Sequence, residues 1–398
     1  MKNNITKKPQ WIWQCSEYPN FTYDREVLDP LIQKATLEQG KLIAFLSVMD
    51  ESNIKQTQLR TMENEIISSC AIEGEILNRD SVRSSIKKKL GLEKDTHYQN
   101  KIKEDNYVDI LIDANTNYED GLSLQRIFSW HHAMFEKGYS NFRKINVAAF
   151  RDEGEMQIVS GSMSKEKVYY EAPPRDELEA QMDTFVNWYN DVPATLIKAA
   201  ITHLWFVIIH PLDDGNGRIT RAITDMVLSQ IENSKISKLY TMSKSINDDR
   251  KGYYNALEKT TGYIKKDDPM DITFWCEWFF KTLYSSLIEA QKSLNYIISK
   301  TKFWDKHKDD SLNARQTKVL NRILDMGSEN FEGGLSKKKY MKIADTTPAT
   351  ASRDMADLLE KKCMKQIEGT SGRNVRYEII RDSNSYELNN VFKVSANY

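Results

Sequence analysis

Four cysteines in 398 residues, Cys15, Cys70, Cys276 and Cys363, are too few and too scattered to frame a disulfide-stapled domain. No two stand at C-x-x-C spacing, which argues against a cysteine-built zinc site and leaves reduced thiols of a cytoplasmic protein as the simple reading. No stretch approaches ~18 uninterrupted apolar residues, so no membrane span is expected. The opening residues Met1-Lys2-Asn3-Asn4 lead into polar sequence without an apolar h-region, so no signal peptide is expected either. Charge of one sign is also missing: the formal net charge is −1, and the chain as a whole is not a generic polyanion binder. What the chain does have is length for two or three domains with full cores, and apolar residues at helical spacing over most of it.

The stretch that organises the rest is His210-Pro211-Leu212-Asp213-Asp214-Gly215-Asn216-Gly217-Arg218-Ile219-Thr220-Arg221. Leu196, Ile197, Ala200, Ile201, Leu204, Trp205 and Ile208 run into it at helix spacing, and Ile219, Ala222, Ile223, Met226, Val227 and Ile231 run out of it. The segment between therefore reads as a tight loop joining two core helices. Gly215 and Gly217 let backbone amides approach a ligand closely, and the second helix offers its free N–H groups and positive dipole end to an anion. Arg218 and Arg221, three apart on the first turn, can reach one phosphate chain. Asp214 is a hard oxygen ligand suited to Mg²⁺ shared with phosphates, and His210 titrates nearest neutrality. Singly, these parts read as a helix cap, a turn and a solvated face. Together they read as a Mg²⁺-dependent phosphate-handling site.

The string resembles the signature of Fic-domain proteins, His-x-Phe-x-Asp/Glu-Gly-Asn-Gly-Arg-x-x-Arg, with Leu212 in place of the phenylalanine. That position is expected to pack into the core. The resemblance implies a mainly α fold: a Fic helical core with a β-hairpin flap, here followed by a small C-terminal winged-helix domain. It also implies a protein adenylyltransferase that moves AMP from ATP to a Ser, Thr or Tyr hydroxyl. In that scheme His210 takes the hydroxyl proton and Asp214 holds Mg²⁺. Asn216 and the amides of Gly215 and Gly217 stabilise phosphoryl oxygens, while Arg218 and Arg221 grip the β- and γ-phosphates.

Upstream, Ser68-Ser69-Cys70-Ala71-Ile72-Glu73-Gly74-Glu75 ends a helix that begins before Ile66, with Gly74 as a plausible stop. A glutamate in the last turn faces the negative dipole end, so either solvent or a distant cation should compensate it. The segment is similar to the inhibitory Ser/Thr-x-x-x-Glu-Gly/Asn motif of Fic proteins, matched by Ser69, Glu73 and Gly74. The resemblance implies that Glu73 pairs with Arg221, holds basal activity low, and borders the bound ATP.

Residues Phe150 to Pro174 break the helical pattern and read as a β-hairpin around Ser160-Gly161-Ser162. The family's flap lies here; by resemblance Gln157, Ile158 and Val159 hold a target segment by strand addition, and Ser160 and Gly161 border the ATP. Tyr253 matches the tyrosine that lines the family's adenine pocket, while Thr261 stands where the family often has an asparagine. His131, His132 and His203 read as core histidines. Trp11, Trp13, Tyr18, Phe21 and Tyr23 read as an aromatic hook on the helical body, and the helices between Leu28 and Leu59 are expected to break near Gly40.

The sequence divides into an N-terminal helical region with the inhibitory motif (1–110), a Fic core (111–290) and a C-terminal domain (300–398). In the last, helices Arg315–Met326, Lys338–Ala344 and Pro348–Lys362, then a hairpin ending at Ile379, resemble a winged helix-turn-helix. Residues 300–398 hold 19 Lys and Arg against 14 Asp and Glu, a tilt that permits DNA binding without demanding it, and protein docking serves equally. The expected partners are ATP, Mg²⁺, a target protein along the flap (the chain itself included), DNA or protein at the C-terminal domain, and a second copy in a homodimer. Two alternatives stay open: AMP removal by the same residues, with Glu73 orienting a water, and a DNA-binding regulator whose core senses nucleotide.

Overall fold

The structure is a computed structural model and describes residues 11–46, 49–92, 102–140, 142–160, 167–233, 239–262, 268–326 and 333–380. The chain divides into two compact units, Met1–Ala290 and Gln291–Tyr398. In chain order the elements are α1 (Arg25–Leu46), α2 (Glu51–Ile72), α3 (Arg79–Lys89), α4 (Ile102–Thr116), α5 (Leu124–Met134), β1 (Tyr139–Ser140) and β2 (Arg143–Lys144). Then come β3 (Gln157–Ser160), β4 (Lys167–Glu171), α6 (Leu178–Asp191), α7 (Leu196–Ile209), α8 (Asn216–Glu232), α9 (Met242–Asp248), α10 (Arg250–Thr261) and α11 (Thr273–Lys306). The chain goes on through α12 (Ala314–Met326), α13 (Lys337–Ala344), α14 (Pro348–Glu360), β5 (Met364–Gln366) and β6 (Tyr377–Ile379). The fold is mainly α, and the strands among the described residues form three separate antiparallel hairpins. No helix among those residues is long and apolar enough to cross a membrane.

Helix α7 is the axis of the first unit. Thr195 caps it by accepting from the Lys198 amide, and its residues from Ala199 to Ile209 are all buried. Apolar side chains on every side of a helix need neighbours on every side. Here α8 packs along α7, α6 covers it, and Trp275 of α11 donates its indole N–H to the Ala200 carbonyl at 2.8 Å. Helix α2 lies against α8, α9, α3 and α4, which brings its C-terminal turn to the start of α8.

The aromatic hook is present. Trp11 stacks edge-on against Tyr170, the Trp13 indole N–H donates to the Glu171 carbonyl at 2.7 Å, and Tyr18 and Phe21 meet Trp205. The hook therefore braces the base of the β3–β4 hairpin. The break expected near Gly40 is not there: α1 runs through Gly40, and the next helix starts at Glu51, capped by Asp50, whose carboxylate accepts from the Asn53 amide at 2.9 Å. Burial of Leu42 and Phe45 beyond the glycine outweighs its modest helix penalty of ~1 kcal/mol.

In the second unit, Val319, Leu320, Tyr340, Met355, Leu358 and Cys363 form a separate core. Thr347 accepts from the Thr350 amide and Pro348 opens α14, while Asp354 of that helix turns inward to Arg315, Asn313 and Tyr340.

Candidate active site

The loop between α7 and α8 is held by its own polar side chains. His210 closes α7 in a left-handed conformation (φ 48°), its amide donating to the Phe206 carbonyl at 3.0 Å. Its Nδ1 faces the Val207 carbonyl at 3.3 Å, an acceptor only, so Nδ1 carries the proton and Nε2 keeps its lone pair. Burial, with nearby Arg151 acting in the same sense, pushes the imidazole down to about 4, so it is neutral at pH 7 with its Nε2 lone pair unprotonated. Arg151, 1 % exposed, donates from Nε to the His210 carbonyl at 3.0 Å and from Nη2 to the Pro173 carbonyl, and its own amide donates to the Pro211 carbonyl. Leu212 is fully buried, as its place in the motif implies. Asp213 serves the loop's framework by accepting from the Asn146 amide at 2.7 Å.

Asp214 is half-buried. It accepts from Arg218 at 3.1 Å, from the Gly215 amide, and from the Ser140 hydroxyl of the β1–β2 hairpin. Burial alone would raise its carboxyl, but Ser140, Arg218 and the Gly215 amide more than offset that and hold it below the usual carboxylate range. It is thus an ionised oxygen donor at the edge of a cavity of about 780 Å³ lined also by Glu73, Glu75, Phe135, Ser140 and Arg218.

The Asn216 side-chain amide donates to the Leu212 carbonyl at 2.7 Å and its oxygen accepts from the Leu212 amide at 3.0 Å, so it stitches the loop closed. Gly215 caps α8 at φ 81°, a conformation that strains most side chains. At Gly217 the constraint is space: a Cβ there would collide with Glu73 Oε1.

Both loop arginines are buried, and the end of α2 meets both. Arg221, with 4 % of its side chain exposed, donates to Glu73 Oε1 at 2.9 Å, to the Ser69 hydroxyl at 2.8 Å and to the Ser69 carbonyl at 2.9 Å. Its Nη1 is buried without a hydrogen-bond partner among the described residues. Gly74 (φ 77°) ends α2 just after Glu73. Arg218 donates to Glu75 at 2.6 Å and to the Tyr107 hydroxyl. Tyr253 is buried; its hydroxyl meets His203 Nε2 at 3.1 Å and its ring packs against Trp278. His203 and His131 are buried core histidines, whereas His132 is exposed. Thr261 turns its hydroxyl to the Leu257 carbonyl of its own helix.

In the hairpin, Gln157 pairs with Glu171, Ile158 with Tyr170, Val159 with Val168 and Ser160 with Lys167, with an irregularity between Ile158 and Val159. Gly161 lies outside the described residues. The loop, Ser69, Glu73 and Gly74 thus come together at one place. Sequence reading missed Glu75, Tyr107, Ser140 and Arg151. Only Glu75, two positions past Glu73 in the same turn, carried a local hint.

Residues 121–228 match the model of the Fic/DOC family, and residues 11–92 match that of a domain of unknown function (DUF4172). Among solved structures, a Fic family protein from Desulfovibrio desulfuricans G20 is similar at 19% identity over 88% of this chain and 96% of that one, with a TM-score of 0.48. A Fic domain containing signaling protein from Bacteroides thetaiotaomicron VPI-5482 is similar at 18% identity over 69% and 97%, with a TM-score of 0.45. Fic-1 from C. elegans is similar at 17% identity over 68% and 74%, with a TM-score of 0.44. The segment matched to the Fic/DOC model runs from just before α5 through the His210–Arg221 loop into α8, so the match covers the loop described above.

Proposed function

We propose that this protein is an adenylyltransferase that moves AMP from ATP to a protein hydroxyl and is held back by its own Glu73. Proteins with Fic domains are typically nucleotidyl or phosphate transferases that use a nucleotide, often with a metal. The single observation that carries the finer reading is what occupies the cradle: the space over Gly217, beside Arg221, holds an anion, and that anion is the Glu73 carboxylate. A site that accepts a carboxylate at a helix start beside a buried guanidinium has the chemistry to accept a phosphate.

In the proposed reaction His210 Nε2 takes the proton of the incoming hydroxyl as its oxygen bonds to the α-phosphorus and pyrophosphate leaves. Asp214, ionised and at the cavity edge, is the residue that would hold Mg²⁺. The metal would supply charge neutralisation for the leaving pyrophosphate. The amides at the start of α8 would meet the phosphoryl oxygens, and Arg221 Nη1, without a partner among the described residues, is the proposed donor to the terminal phosphate. The strand edge of Gln157, Ile158 and Val159 is the proposed docking line for the target.

Glu73 then inhibits by competition for Arg221. A third of its side chain is exposed, so solvent weakens the pair and opening costs less than the ~3–5 kcal/mol of a fully buried one. Glu73→Gly should raise AMP incorporation from labelled ATP about 10- to 30-fold, the range that about 1.4–2 kcal/mol of released competition gives. His210→Asn in that background should abolish it, asparagine being chosen because it tolerates the left-handed backbone. Unchanged turnover in Glu73→Gly would overturn the inhibitory assignment.

A further inference from the structure

The turn that carries Glu73 carries a second acid against the other loop arginine. Glu75 Oε2 accepts from Arg218 Nη1 at 2.6 Å and from the Tyr107 hydroxyl at 2.9 Å, and Arg218 also donates to the Tyr107 oxygen. Only 7 % of the Arg218 side chain and 18 % of that of Glu75 are exposed. Arg218 cannot swing away to serve a ligand elsewhere. Its guanidinium lies 5.1 Å from the Phe135 ring centroid and 5.7 Å from that of Tyr107, and Nη2 is tied to Asp214. If a phosphate is to take Arg218, the partner that can leave is Glu75.

We infer that Glu75, pinned by Tyr107, is a second latch on the cradle, competing with the nucleotide for Arg218 as Glu73 competes for Arg221. This rests on reading the loop as a nucleotide cradle. Charge supports it. Among the described residues, Arg218 and Arg221 face three carboxyl groups, Glu73, Glu75 and Asp214, so acids outnumber the two guanidiniums in this cluster and oppose a polyphosphate. Removing Glu73 only makes acids and guanidiniums equal in number and leaves Arg218 engaged on two sides. Removing both acids puts the guanidiniums in excess. Glu73 and Glu75 flank Gly74, at φ 77°, and Arg250 fixes the turn's start by donating to the Ile72 carbonyl at 2.6 Å, so the two acids are placed to withdraw as one piece.

The test uses the full-length chain as Glu73→Gly, Glu73→Gly with Glu75→Gln, and Glu73→Gly with Tyr107→Phe, each checked by thermal melting. Mg-ATP affinity is read by titration calorimetry and AMP incorporation in parallel. The Glu73/Glu75 double variant should bind Mg-ATP at least about fivefold tighter than Glu73→Gly alone and incorporate more AMP. The Tyr107→Phe pair, which removes only the hydroxyl that pins Glu75, should move the same way by less. Equal or weaker binding in both double variants would overturn the second latch and mark Glu75 as a support that aims Arg218. If Glu73→Gly itself binds Mg-ATP no better than the native chain, the nucleotide reading falls, and the latch with it.

Discussion

A methyl group at position 217 would collide with the Glu73 carboxylate and come 3.2 Å from Arg221 Nη1, so it would fill the place assigned to a phosphate. Glycine there is a matter of room, not of backbone angle. Gly217→Ala in the Glu73→Gly background should weaken Mg-ATP binding by at least about tenfold in a calorimetric titration, since a methyl that cannot be moved excludes an oxygen. Unchanged affinity would show that the phosphates do not run over this glycine. At this scale the sequence was informative about residue type and silent about partners. His210, Asp214, both arginines and Glu73 were readable because they stand in two short strings with a chemical logic. That Asn216 ties back to Leu212, and that Tyr253 gives its hydroxyl to His203, were not readable: a spacing pattern names a side chain without saying where its hydrogen bonds go. Ser140 reaches Asp214 across 74 positions and Tyr107 reaches Arg218 across 111, distances at which no local periodicity helps.

Among the elements, α1 shows how a breaker is overruled. Nothing lies within 4 Å of where a Cβ on Gly40 would be, and the residue is helical. Gly40→Ala should therefore stabilise the protein by about 0.5–1 kcal/mol, through the helix and through a less free unfolded chain. A denaturant midpoint unchanged or lowered by the substitution would show that α1 needs glycine for a reason other than its backbone. Elements with strong end signals were legible to within a residue or two: α14 from Thr347-Pro348, α8 from Gly215, the end of α2 from Gly74. The two-residue strands of the β1–β2 hairpin left no alternating pattern to read, yet that hairpin delivers Ser140 to Asp214.

At the scale of the whole molecule, the mainly α class followed from periodicity, because long amphipathic runs leave a chain few other ways to cover its apolar faces. Acid sensitivity follows from the histidines inside it. Burial pushes His203 down to about 3, with Arg221 adding to the effect, and pushes His131 and His210 down to about 4. All three stay neutral in the native state while the unfolded chain takes up protons below about 6.5, so the unfolded state binds more protons between about 6.5 and 4. Stability should be fully present above pH 6.5 and fall as pH drops through that window, by about 1.4 kcal/mol per pH unit for each fully responding imidazole. Urea midpoints measured from pH 7 to pH 4.5 check this; a flat profile would mean that the three rings are solvated. The helix that ends at Glu73 has a last consequence. The acids at 73 and 75 fall in the stretch matched to DUF4172 and the arginines in the stretch matched to Fic/DOC, which invites shortening the chain to release the proposed brake. But α2 also buries Leu59, Met62, Ile66, Cys70 and Ile72, and trimming it away would leave a greasy scar beside the working loop. The proposed restraint and the scaffold are one helix, so the proposal is to be tested by changing single letters, not by cutting.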